Sequence, residues 1–331
     1  MTTVAQTLDR IGGVNLIPVV LALAALAAIQ DASTWITLTV AGLAMGMMIF
    51  LMASGLSLVF GLMDVLNFGH SAFITMGAFL GATVLAGLSS WAQGGSAFMN
   101  VVALLAAIGA ATAFGATMGW FFERVIVRPV YRDHLRQILI TMGALIVVEQ
   151  VVFAIWGGAP IHVARPRFLT GALLFGDVSI EVYRIFAFLL GLVVYAGLHF
   201  ALNRTRIGLL VRAGVENREM VEALGYRIDR LFIGVFMAGS ALAAMGGAMW
   251  AGYQTLITPA LGSELLVMVF IVVIIGGLGS VEGSLIGAVL VGLMMNYVAF
   301  LFPKLALASN MLLMMAVLLW KPFGLKPAVK S

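Results

Sequence analysis

The sequence contains no cysteine. Thiolate nucleophiles, Cys-ligated zinc and iron–sulfur clusters are therefore excluded. Charge is also scarce. Asp, Glu, Lys and Arg make up 10% of the 331 residues, against about 25% in an ordinary soluble domain. With so few charges the chain can neither cover a soluble globule nor stay solvated as a disordered one. No Lys follows a Gly, which excludes the phosphate-cradling loop that ends Gly-Lys-Ser/Thr. Gly276-Gly277-Leu278-Gly279-Ser280-Val281-Glu282-Gly283 is rich in glycine, but its spacing fits neither that loop nor the dinucleotide fingerprint. There is no His-Glu-x-x-His pair and no Gly-x-Ser-x-Gly elbow. His70, His134, His162 and His199 lie far apart in the sequence. No metal, cofactor or catalytic constellation is expected. The net charge of +4 is spread over short segments, so no nucleic-acid partner is expected either.

Apolar residues are abundant. They make up 63% of the chain, and the mean hydropathy is +1.12. A membrane helix needs about 20 apolar residues to cross a core of about 30 Å. Apolar runs between charged or Gly/Pro-containing breaks give ten such segments. They are Asn15–Gln30, Trp35–Leu62, Ser71–Leu88, Ala97–Phe122, Ile138–Trp156, Val182–Leu202, Leu231–Gly252, Glu264–Gly277, Leu285–Phe302 and Leu307–Trp320. Two are short: the first, and Glu264–Gly277, which reads as a re-entrant half-helix. The expected fold is all-α, a polytopic transmembrane bundle of about ten helices that include broken or re-entrant segments. The whole chain, 1–331, forms one domain.

Basic residues set the orientation, because they collect in cytoplasmic loops. With the N-terminus inside, the inner segments hold Arg10, Arg124, Arg128, Arg132, Arg136, Arg204, Arg206, Arg212, Arg218, Arg227, Arg230, Lys321, Lys326 and Lys330. The outer ones hold only Arg165, Arg167, Arg184 and Lys304. Both termini are therefore expected in the cytoplasm. The longest outer loop is Gly157–Glu181 and the longest inner one is Asn203–Arg230. Neither is large enough to fold as a separate domain, so any engine or receptor must be another chain.

The inner loop, 203–230, contains an amphipathic stretch, Glu216–Gly225. Met220, Val221, Ala223 and Leu224 share one face at helical spacing. Glu216, Arg218, Glu219 and Glu222 cover much of the rest. Glu216 or Asn217 can start this helix, and Gly225 suits the left-handed position just past its end. Such a helix either lies on the lipid surface or docks into a groove on a soluble partner.

These residues carry a resemblance. Glu219-Met220-Val221-Glu222-Ala223-Leu224-Gly225 resembles the Glu-Ala-Ala…Gly loop of ABC importer permeases. The longer run Thr205-Arg206-Ile207-Gly208…Arg212-Ala213…Asn217-Arg218-Glu219…Ala223-Leu224-Gly225-Tyr226…Asp229-Arg230 resembles the branched-chain amino acid (Liv-type) permeases. So do Phe60-Gly61-Leu62-Met63-Asp64-Val65-Leu66-Asn67-Phe68-Gly69-His70, the turn Glu123-Arg124…Arg128-Pro129-Val130, the Gly-rich turn Gly276–Gly283 with Gly287-Ala288, and Lys321-Pro322-Phe323-Gly324-Leu325. The resemblance runs from Thr37 to Leu325 and is closer to the first of the two permease subunits. It departs in two places. Helix 15–30 precedes the family's usual first span. Ser71-Ala72-Phe73 follows His70 where many relatives have Gly-Glu.

The resemblance implies an importer permease in a bacterial inner membrane, with branched-chain or related amino acids as solute. Urea, short amides and small carboxylates are the alternatives. It implies a second homologous permease, two cytoplasmic ATPases that carry the ATP and Mg, and a periplasmic solute-binding protein. Glu216, Arg218, Glu219, Met220, Glu222, Ala223, Leu224 and Gly225 become the expected ATPase contact. The alternative of another class is an ATP-independent secondary transporter or channel, with its site at broken helices.

Polar residues in hydrocarbon face a partner or a water-filled path. Asn67, His70, Glu149, Gln150, Glu264 and Asn296 are the candidates for such a path, with Tyr253 and Gln254 weaker. Asp64, Asn67 and His70 surround a break from Gly61 to Gly69, expected near the cytoplasmic end. It is either a structural turn or part of a gate. Glu149 and Gln150 either bond between helices or line the outer path. Glu264 also suits a helix N-terminus through the backbone dipole alone.

Overall fold

In hydrocarbon a helix satisfies its own backbone, so a few capping residues decide where each one starts and stops. The computed structural model describes residues 13–131, 133–216 and 218–327. Arg10, Arg132, Asn217 and Lys330 lie outside them. Helix α1 (Ile17–Ile29) has Pro in its first turn and ends at Gln30 in the left-handed region. Asp31 then caps α2 (Ala32–Met63), accepting from the Ser33 and Thr34 backbone N–H groups. The Thr34 hydroxyl and N–H, with the Ser33 hydroxyl, hold the Asp31 carboxyl down at about 2. Asp64, with φ of 52°, ends α2.

Helix α3 is His70–Gly87, α4 the short Ser89–Ala92, and α5 Ala97–Phe122, capped by Ser96. The chain leaves α5 through a π turn, Glu123–Val127, and a 3-10 turn, Arg128–Val130. Asp133 caps α6 (His134–Trp156). Then follow α7 (Val182–Arg204), α8 (Arg206–Glu216), α9 (Arg218–Ala223) and α10 (Ile228–Gln254). The last three are α11 (Leu261–Gly276), α12 (Val281–Leu301) and α13 (Ala306–Trp320).

The protein is an all-α multi-pass membrane protein. Of the ten expected spans, eight are helices long and apolar enough to cross a bilayer. The other two, Gly13–Ile29 and Leu261–Gly276, are apolar but shorter. The 16 residues of α11 reach roughly 24 Å, less than the hydrocarbon core. The outer loop is less irregular than its Gly and Pro content suggests. Strands β2 (Ala172–Phe175) and β3 (Val178–Glu181) form a hairpin closed by Gly176-Asp177. Gly-Asp between short apolar runs was the available signal. β1 (Ile161–His162) pairs with β4 (Leu256–Ile257), tying this loop to the α10–α11 connection. The inner loop holds two helices instead of one. Glu216 ends α8 and does not start α9.

Helix α2 is the axis of the bundle, with residues 44 to 59 all buried. It packs on α10 and α12, and α3, α5 and α11 complete the interior. Small residues make this possible, since helices in lipid associate through close backbone approach. A Cβ on Gly239 of α10 would lie 2.7 Å from the Gly55 carbonyl oxygen of α2. A Cβ on Gly46 would lie 2.8 Å from the Ala288 carbonyl of α12. Helices α6 and α7 stay on the periphery, with Leu139, Ile146, Phe153, Val193 and Phe200 exposed.

Gly239→Val should therefore force α10 off α2. We expect a loss of about 2 kcal/mol from overpacking, seen as a lower thermal midpoint in detergent. Gly109→Ala, where a Cβ meets nothing within 4 Å, should not lower it.

Candidate functional site

The break between α2 and α3 does not stay at the membrane surface. Asp64 sits at its exposed lower end, where its Oδ2 is 3.7 Å from His134 Nε2. From there the chain climbs inward. At the upper end His70 Nε2 lies 2.8 Å from the Met52 carbonyl oxygen. Met52 is twelve positions before Asp64, roughly 18 Å back along α2. Asp64, Asn67 and His70 are thus not one cluster: Asp64 is exposed, whereas Asn67 and His70 are fully buried. The climbing segment is held by the Phe68 N–H, which donates to Thr141 Oγ1 of α6 at 3.2 Å. Phe122 and Phe73 stack edge-on beside it, with centroids 4.9 Å apart.

Helix α11 makes the complementary break. Its Gly262 N–H donates to Thr75 Oγ1 of α3 at 3.0 Å. A Cβ on Gly262 would collide with the Ser71 carbonyl. The first turns of two short helices therefore meet inside the bundle, each presenting the positive end of its dipole. Around this junction some polar atoms have no partner among the described residues. They include both amide atoms of Asn67 and His70 Nδ1. Glu264, in the first turn of α11, is exposed. The Thr75–Gly262 pairing was invisible in the sequence, because the two residues are 187 positions apart.

The other candidate path residues lie elsewhere. Glu149 is half-buried in α6, with Oε1 enclosed and unpartnered among the described residues. Gln150 is exposed on a face that also shows Ile146, Val147 and Phe153. Asn296 is occupied structurally: its Nδ2 donates to the Gly292 carbonyl at 2.9 Å and touches Met45 Sδ at 3.4 Å. It thereby ties α12 to α2.

At the outer end, Arg165 is a clamp that sequence reading counted only as a charge. Its Nε donates to the Gly252 carbonyl at 2.6 Å and Nη2 to the Tyr253 carbonyl at 2.6 Å. Nη1 bonds Glu181 Oε2 at 2.9 Å, and the guanidinium lies 5.1 Å from the Tyr183 ring centroid. Tyr253 is thus held through its backbone, while Gln254 is exposed. Beside the clamp, a cleft of about 300 Å³ lined by Thr83, Gln93, Trp156 and His162 opens outward.

On the inner side, the backbone is helical at Glu216, Arg218 and Glu219, whose side chains lie outside the described part. Val221 is 4% exposed, and it anchors α9 to the bundle. Met220 and Leu224 are 61% and 71% exposed, and Glu222 and Ala223 are exposed with them. Gly225 has φ of 86° and turns the chain straight into α10. A short helix thus presents a mixed apolar and acidic face, fixed by one buried valine.

Residues 38–320 match the family model described as branched-chain amino acid transport system / permease component. The chain belongs to this family. Among its relatives is the high-affinity branched-chain amino acid transport system permease protein BraD of Pseudomonas aeruginosa. It is 27% identical over 301 residues, covering 88% of this chain and 95% of BraD. LivH of Escherichia coli K12, named in the same way, is 26% identical over 258 residues, 76% of this chain and 82% of its own. A probable LivH of Methanocaldococcus jannaschii is 23% identical over 291 residues. No solved structure matches. The family is a permease component of transport systems and is not itself catalytic. The match begins at residue 38, so α1 precedes it.

Arg165→Met should leave two buried-end carbonyls without their donor. We expect about 2 kcal/mol of destabilisation and faster proteolytic cleavage in the 157–181 loop, with membrane insertion intact.

Proposed function

We propose that this chain is one permease subunit of an ATP-driven ABC importer in a bacterial inner membrane. The observation that carries the reading is α9. It is a short helix on the side assigned to the cytoplasm, seated by Val221 and closed by Gly225, with Met220 and Leu224 facing outward. A helix needs no such construction to lie on lipid. It suits insertion into a groove of a soluble partner. Two cytoplasmic ATPases would dock there, with Glu216, Arg218, Glu219, Glu222 and Ala223 completing the contact. A second homologous permease would cover the α6 face, where Gln150 and the half-buried Glu149 need something other than lipid. A periplasmic solute-binding protein would dock on the outer loop and its hairpin.

The path runs between the two permeases and past the junction of α3 and α11. Closure of the ATPases moves α9, the two bundles rock, and the junction opens first outward and then inward. Asn67 and His70 carry polar atoms there without a partner among the described residues, and they are the path residues in the interior. Glu264, Glu149 and Gln150 lie on the exposed approaches. Asn296 serves packing. The solute is a branched-chain or related amino acid, which is what the relatives' names specify for those proteins. Urea, a short amide or a small carboxylate remains the alternative cargo.

Broken helices that meet inside a membrane also occur in ATP-independent transporters, and ATP dependence separates the two readings. The assembled complex, reconstituted in vesicles with its binding protein, should take up leucine, isoleucine or valine only with ATP. Solute uptake by this chain alone without ATP would refute the importer reading. Gly225→Val introduces a β-branched residue at positive φ. It should abolish co-purification of the ATPases while leaving membrane insertion unchanged.

A further inference from the structure

The turn Glu123–Tyr131 has no role in the function proposed so far, yet it lies between the two ends of the machine. It begins in a π turn, a rare geometry found frequently at functional sites. Glu123 is 2% exposed. Its Oε1 accepts from the Tyr131 hydroxyl at 2.5 Å. Burial first, then that hydrogen bond, raises the Tyr131 hydroxyl above its usual range, so it stays a donor.

From this turn, contacts lead in two directions. Towards the coupling helix, Arg128 Nη2 donates to Asp229 Oδ2 at 2.9 Å. Asp229 is the second residue of α10, four positions after Gly225. The Tyr131 ring also meets Phe232 of α10 edge-on at 6.4 Å. Towards the membrane interior, Gln137 Nε2 donates to the Val130 and Tyr131 carbonyls at 3.2 and 3.0 Å. Thr141 Oγ1 donates to the Gln137 carbonyl at 2.7 Å and accepts from the Phe68 N–H at 3.2 Å. Phe68 adjoins Asn67 and packs on Phe270 of α11, with centroids 5.0 Å apart.

We propose that Arg128, Tyr131 and Gln137 are positioning residues that relay movement of the coupling helix to the buried break at Asn67–His70. Displacement of α9 moves the start of α10. Asp229 and Phe232 carry the turn with them, and Gln137 and Thr141 pass the shift to Phe68. The relay rests on the importer reading and adds to it how one permease converts motion at its inner surface into opening at its centre. Chain connectivity alone does not supply this link. Residues 64–69 are far from 216–225 in sequence, and the contacts run through α6 and the turn.

The ion pair is half-exposed at both ends, and such pairs contribute little to stability. Its loss should therefore uncouple the complex without unfolding it. The test uses the reconstituted complex with its ATPases and binding protein, measuring ATP hydrolysis and leucine uptake together. Arg128→Gln and Tyr131→Phe should each cut uptake per ATP about tenfold while hydrolysis stays within about twofold. The exchange Arg128→Asp with Asp229→Arg should restore most of the uptake lost in Arg128→Gln, because it rebuilds the pair. Uptake per ATP at the unaltered level in both single variants would overturn the relay. So would hydrolysis and uptake falling in proportion, which marks an assembly defect. An exchange that fails to recover uptake would overturn the Arg128–Asp229 link. If the unaltered complex itself shows no ATP-driven uptake, the importer reading fails, and that outcome is distinct from any of these.

Discussion

Hydrocarbon offers the backbone no hydrogen bonds. A transport protein nevertheless needs places where its helices break, because a wall of straight helices has no site and no gate. At its interior breaks, among the described residues, this chain encloses the break in protein and gives freed groups side-chain partners. Thr141 takes the Phe68 N–H, Thr75 takes the Gly262 N–H, and Arg165 serves the Gly252 and Tyr253 carbonyls. Each partner comes from a different element. The breaks therefore also hold the bundle together.

The same constraint explains why small residues stand where the interior helices cross, among larger buried side chains such as Phe50, Met52 and Phe73. The breaks can be enclosed only if the surrounding helices come close, and α2 meets α10 and α12 through glycine at Gly55, Gly239 and Gly46. Ser57 and Ser284 close the lower end of the α2–α12 contact at 2.6 Å. Among the described residues, the buried polar atoms left without a partner after this packing include both amide atoms of Asn67 and His70 Nδ1 at the junction, with Glu149 Oε1, Ser240 Oγ and Asn310 Oδ1 elsewhere. A buried polar group without a partner costs free energy, so its retention is an argument for a changing environment during the working cycle.

The peripheral helices follow another rule. Alpha-helices α6 and α7 bury little of themselves, and their exposed faces are apolar as lipid requires. Helix α6 is the exception in its middle, where Glu149 and Gln150 interrupt the apolar surface. Bilayer alone is a poor neighbour for that pair. The inner loop completes the design: charged around α8 and α9, it is joined to the bundle by Val221, Ile228 and the Arg128–Asp229 pair.

Much of this was legible in the residues. Membrane residence, the number of apolar segments and the positions of most helices follow from hydropathy, because the length needed to cross hydrocarbon is a property of single segments. The short helix before Gly225 was legible through amphipathic spacing and that glycine. The division of the inner loop into α8 and α9 was not, since the glycines Gly208 and Gly214 weaken the helical signal of the first. The β2–β3 hairpin was missed because its strands are four residues long and lie in a stretch rich in turn residues. Among the polar candidates, the sequence singled out Asn67, His70, Glu149, Gln150, Glu264 and Asn296 by the cost of placing them in lipid. It could not sort them, because that cost depends on neighbours distant in sequence. Composition and the apolar runs by themselves determined the solvent and the fold class. Only the tertiary structure decided that Asp64 and His70 stand at different depths, that α3 and α11 meet at their N-termini, that Asn296 is a packing residue, and that Arg128 reaches Asp229. The reason is physical: transfer into hydrocarbon is summed over a segment, whereas a hydrogen bond or an ion pair exists only where two distant parts of the chain come within a few ångströms.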